Sequence, residues 1–119
     1  MPYVILVDDN YHHMDSSYRC RDGEFATAEE AFARCRQIVD EYLDDAEKIE
    51  GRESATKLWE SYKMFGEDPY IVATDVTPAS FSAWSYASQR CEERTGDRIA
   101  GGRFLTRDDP EHEDYDPMR

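Results

Sequence analysis

The densest set of metal-binding side chains lies in one short stretch, "DDNYHHMD", where Asp8, Asp9, Asn10, His12, His13 and Asp15 bring carboxylate, amide and imidazole donors together. Borderline divalent metals accept imidazole beside carboxylate. Two or three ligands from one loop, with one from elsewhere, leave an open position for activating water. On that chemistry Asp9, His12, His13 and Asp15 are candidate metal ligands, with Asp75 or Asp68, at the two ends of a second apolar strand, as the distant carboxylate. The spacing falls short of a signature: there is no helical His-x-x-x-His, and adjacent His12 and His13 in an extended chain point apart. A calcium loop would need Gly at its sixth position and Glu at its twelfth, and both are missing. The competing account makes Asp9 and Asn10 turn formers that bond their own backbone, the commoner use of these residues after a strand. No resident cofactor is therefore expected, and a divalent metal is the alternative.

The run "ILVDDN", residues 5 to 10, resembles the first strand of phospho-acceptor receiver domains, whose paired carboxylates hold Mg²⁺. The surrounding pattern does not follow. Such a domain enters a helix almost at once, whereas "NYHHMDSSYRC" has no helical apolar stripe. Where the acceptor Asp is due, "GRESATK" offers neither a strand pattern nor an Asp. A motif counts only in its structural context, and the receiver chemistry is set aside.

Other enzyme signatures are missing as well. The chain has no Gly-x-Ser-x-Gly elbow, no Gly-rich phosphate loop and no Cys set beside a His in a familiar pattern, so no catalytic residue is assigned. Large rings are plentiful in the second half of the chain. Most fall on helical stripes and belong to a core. A layer of about three helices cannot hide them all, and half-exposed Tyr and Trp are favoured at protein interfaces. Tyr70, Trp84 and Tyr86 are the candidate partner-binding residues.

Composition narrows the classes further. The 119 residues suit one domain with a real core. A formal net charge of -13 opposes any sequence-independent grip on phosphate backbones or anionic lipid. Nucleic acid and membrane are thus not expected partners, although an acidic surface can steer basic partners or imitate nucleic acid. No apolar run approaches the ~20 residues of a membrane helix, and no basic leader precedes the first strand. Cys20, Cys35 and Cys91 are widely spaced without a Cys-x-x-Cys pair, which fits reduced thiols and a cytoplasmic protein.

The elements that must position these residues follow from pattern. "YVILV", 3 to 7, is a buried central strand, and the stretch from Tyr18 to Arg21 before Asp22-Gly23 predicts a hairpin partner after a long connection. Ala28, Ala31, Phe32, Cys35, Ile38, Val39, Tyr42, Ala46 and Ile49 recur at helical spacing. Thr27 and Glu30 form a capping box ahead of this helix, and Gly51 stops it. Its other face, with Glu29, Arg36, Asp40, Glu47 and Glu50, is expected to be solvated. A second helix runs from about Ser54 to Phe65, with Ala55, Leu58, Trp59, Tyr62 and Phe65 on one core-facing stripe and Gly66 past its end, followed by a proline-stiffened turn and a strand at 70 to 74. A third helix starts at Thr77-Pro78, or alternatively at Ser82, and ends near Gly96; "RFLT", 103 to 106, suggests an edge strand.

"DNYHHMD", "GEFAT" leading into "EEA", "YKMFGEDP" and "FSAWSYA" together resemble a group of small bacterial proteins that share a hairpin, a long helix and an FGEDP turn. The resemblance covers residues 3 to 95. It implies a compact α+β domain and carries over no catalytic or binding residue. The whole reading is one α+β domain over 1–106, a small mainly antiparallel sheet packed against about three helices, with an acidic flexible tail at 107–119. Its expected role is a non-catalytic module that binds another protein or itself as a homodimer. The alternatives are a metal-dependent or small-molecule enzyme built on the Asp8 to Asp15 loop, and an acidic nucleic-acid mimic.

Overall fold

A strand with a neighbour on each side has both backbone edges paired, and the apolar, β-branched first strand takes that central place. In the computed structural model, which describes residues 3–12, 17, 19–73 and 81–105, β1 (Tyr3–Asp9) is the middle of a three-stranded antiparallel sheet. Its partners are β2 (Cys20–Phe25) and β3 (Glu67–Ala73), in the order β2-β1-β3. Three helices complete an α+β fold: α1 (Ala28–Glu50), α2 (Ala55–Phe65) and α3 (Ala83–Thr95).

Alternation along the strands assigns the two faces. Tyr3, Ile5 and Val7 of β1, with Phe25 and Ile71, pack against Ala31, Cys35 and Ile38 of α1. Val4 and Leu6, paired with Val72 and Tyr70, therefore point to the opposite face. The β1–β2 ladder carries a bulge, because Ile5 faces Gly23 while Leu6 faces Arg21, leaving Asp22 without a partner across the sheet. Asp22 is used otherwise: Arg34 of α1 grips both its oxygens at 2.9 Å, tying the hairpin to the helix.

Local signals fall where the sequence puts them. Thr27 caps α1 by accepting the Glu30 N–H at 3.2 Å, and Gly51 ends it at φ 79. Ser54 caps α2. For α3 the described cap is Ser82, which accepts from the Ser85 N–H at 3.1 Å, and Thr77-Pro78 lies outside the described residues, as does the segment 107–119.

Four expectations are corrected. The FGEDP segment is not a turn: Gly66 ends α2 and β3 begins at once with Glu67, running straight through Pro69. Proline is tolerated there because β3 is an edge strand, so a missing outward N–H breaks no ladder bond. Arg103–Leu105 is not a strand, because Ser88 of α3 accepts the Phe104 N–H at 3.0 Å and takes the place of a neighbouring strand. Ile49 and Phe65, assigned to core stripes, are exposed. Asp40 and Glu47 are not on a solvated face, since α3 lies beside them and its Arg90 and Arg94 reach across. The Glu47 and Arg94 side chains keep only 8% and 10% of their exposure.

The main core lies among the helices, where Leu43, Leu58, Trp59, Tyr62, Ala87 and Cys91 are buried. Trp59 stacks on Tyr62 with centroids 5.9 Å apart, and Trp84 meets Trp59 edge-on at 5.6 Å. Such pairings absorb much of the aromatic content in the second half of the chain.

Candidate functional site

The site grows from the end of β1, where Asp8 and Asp9 give way to a single 3-10 turn, Asn10–His12. Asn10 anchors that turn in the core. Its amide donates to the Tyr62 carbonyl at 2.8 Å, its oxygen accepts from the Trp84 indole N–H at 3.1 Å, and its backbone N–H donates to the Gly66 carbonyl at 3.0 Å. A polar residue can be buried here because its hydrogen-bonding groups find partners. Asp9 shapes the same turn, accepting the Tyr11 N–H at 2.8 Å, and its other oxygen lies 3.1 Å from His12 Nδ1.

Of the predicted metal donors the structure thus brings Asp9 and His12 together, while His13, Asp15 and Asp75 lie outside the described residues. Among the described residues, no group of three or more His, Cys, Asp or Glu is arranged to hold a metal. Asp8 turns away to pair with Arg19 at 2.8 Å, opposite Asp68 in the β1–β3 ladder.

Two concavities flank this turn. The first is an acidic cleft of about 380 Å³ at the end of the hairpin where the connection joins β1 to β2, between β1, β2, α1 and the start of β3. Asp8, Asp9, Asp22, Glu41 and Glu67 line it against Arg21 and Arg34, over Val7 and Ile38. Arg34 is committed to Asp22, and Arg21 pairs with Glu24. Partial burial of an otherwise exposed side chain, and then the negative charges of Glu41 and Asp9, raise the Glu67 carboxyl above its ordinary value. The walls hold more negative charge than their own arginines neutralise.

The second concavity, about 420 Å³, lies on the other side of the turn and is lined by Asn10, Tyr11, Glu60, Lys63 and Met64. Its dominant feature is apolar. Tyr11 and Phe65 stack with centroids 5.5 Å apart and 21° between planes, yet they remain 62% and 55% exposed, with Met64 beside Phe65 at 56%. Phe65 is the last residue of α2, where the chain leaves the helix before the core can close over it, and the Asn10 anchor presents Tyr11 to its ring. Lys63 lies over the Trp59 ring at 5.4 Å, so this cation is already engaged.

The residues predicted to meet a partner sit differently. Trp84 lies against Trp59 and Tyr62 with its N–H given to Asn10. Tyr86 donates its hydroxyl to Asp40 at 2.6 Å, and its ring lies 5.9 Å from Phe81. Tyr70, on the far face of the sheet, has the Arg19 guanidinium over its ring at 5.8 Å. Sequence reasoning missed the Tyr11, Met64 and Phe65 shelf because Phe65 fits the apolar stripe of α2; the one available signal was its position directly before Gly66. Compared with family models, curated proteins and solved structures, the chain matches none.

Proposed function

We propose that this protein is a non-catalytic interaction module that binds another protein, or a second copy of itself, through the Tyr11, Met64 and Phe65 shelf. The observation that carries this reading is the stacked Tyr11–Phe65 pair, two large rings more than half exposed on an anchored turn and a helix end. Aromatic and Met side chains are enriched at protein interfaces, and rings held in place before binding lose little conformational entropy on contact. The three cysteines, Cys20, Cys35 and Cys91, form no disulfide with one another, which supports a reducing, cytoplasmic setting. No helix among the described residues is long and apolar enough to cross a membrane.

The test is native mass spectrometry of protein purified from its own cells without chelator, comparing wild type with Tyr11→Ser/Phe65→Ser. A dimer or a bound protein present in wild type and lost in the variant supports the module. A wild-type monomer with nothing bound, or an assembly indifferent to both substitutions, refutes it. The Asp9 and His12 contact keeps the metal-dependent enzyme as a second reading. A stoichiometric metal adduct lost on His12→Ala would favour it.

A further inference from the structure

Phe65 lines the acidic cleft on one side and stacks on Tyr11 at the apolar shelf on the other, so the two surfaces are continuous through one ring. We propose that the partner of this surface is a basic amphipathic protein segment, with an apolar side chain on the Tyr11–Phe65 shelf and an adjacent Lys or Arg in the acidic cleft. The inference rests on the interaction-module reading and adds the chemistry of the partner.

Charge selects this occupant. Arg34 gives two nitrogens to Asp22 and reaches Glu41 only at 3.9 Å, and Arg21 is paired with Glu24. Glu41 and Glu67 are left to share the charge of an Arg34 whose hydrogen bonds are spent on Asp22, and partial burial together with its carboxylate neighbours makes Glu67 harder to ionise. An incoming cation relieves that repulsion. The cleft also has an apolar floor of Val7 and Ile38, which suits the methylene stem of Lys or Arg beneath its charged head. A second copy of the chain fits poorly, because each copy carries a net charge of -13. Nucleic acid has the wrong sign for the cleft.

The experiment is an NMR titration of the ¹⁵N-labelled full chain with a designed helical peptide bearing Leu on one face and Lys on the other, and with its counterpart bearing Glu in place of Lys. The Lys peptide is expected to shift the amides of Asp9, Tyr11, Phe65 and Glu67 and to lose binding on Phe65→Ser. Its affinity is expected to fall about fivefold on Glu41→Gln/Glu67→Gln, the combined effect of two exposed charges. Glu29→Gln/Glu50→Gln makes the same change in net charge elsewhere on α1 and is expected to leave binding within twofold. All these positions are exposed, and the dispersion of each variant's spectrum checks its fold. Equal weakening by both glutamine pairs would reduce the effect to bulk charge and overturn the proposal. Shifts confined to other surfaces, or no binding of the Lys peptide, would overturn it too. Equal binding of the Glu peptide at the shelf would overturn the basic partner while leaving the interaction module standing.

Discussion

Replacing Asn10 with alanine removes two long-range hydrogen bonds from the base of the candidate site. The Tyr62 carbonyl loses the 2.8 Å amide contact but keeps the Gly66 N–H at 2.8 Å, so it stays satisfied. The Trp84 indole N–H loses its 3.1 Å acceptor in a partly buried setting. One lost hydrogen bond at ~1 kcal/mol and one orphaned donor at ~1–2 kcal/mol give a destabilisation of about 2–3 kcal/mol. For a chain of this length that lowers Tm by about 6–15 °C. Urea unfolding followed by far-UV circular dichroism measures it without relying on Trp84 fluorescence, which changes when its partner leaves. Asn10→Asp separates hydrogen bonding from size. Its carboxylate would be buried facing the Tyr62 carbonyl, which raises its pKa in the folded state above the unfolded value of ~3.9. Relative to wild type, this variant should therefore be most stable below about pH 4 and lose stability as pH rises above it. A loss under about 0.5 kcal/mol for Asn10→Ala, or a pH-independent deficit for Asn10→Asp, would refute the anchoring role.

Gly66→Ala should destabilise by about 1–3 kcal/mol, because its Cβ would fall 2.4 Å from the Tyr62 ring and 2.7 Å from the Tyr62 carbonyl; equal denaturation midpoints for variant and wild type would contradict that contact. A thiol-titrating reagent at pH 8 should modify Cys20 alone in the native protein and all three thiols in denaturant, since burial pushes Cys35 and Cys91 up to about 12 and hides them. Burial opposes ionisation of Asp40, but hydrogen bonds from Tyr86 and Arg90 outweigh it and hold the carboxyl below its ordinary range. A depressed carboxyl contributes stability above its unfolded pKa and loses it as pH falls through the folded value, so Asp40→Asn should cost stability at pH 7 and flatten the acid limb of the stability profile. Parallel acid limbs for wild type and variant would show that Asp40 does not carry that dependence.

What the sequence determined by itself is the set of features whose causes are local. The cap at Thr27 needs only a side chain and a backbone N–H three residues on, so it is read directly. The apolar run of β1, of which only Ile5 is fully buried, and the long stripe of α1 each lie within one segment, and together they reveal the α+β class. Tertiary structure decided everything that depends on a neighbour distant in sequence. Asn10 is a core anchor because Tyr62 and Trp84 arrive beside it from 52 and 74 residues away. Glu47 leaves solvent and Asp40 is partly covered because α3 brings Arg90 and Arg94 across them, and nothing within α1 announces that. Phe65 carries the same helical phase as the buried residues of α2, yet lies outside because the helix ends beneath it and Tyr11 from another element becomes its partner. The acidic cleft has the same origin. Its carboxylates come from β1, β2, α1 and β3, and only the sheet order β2-β1-β3 with α1 across it sets their charges against one another.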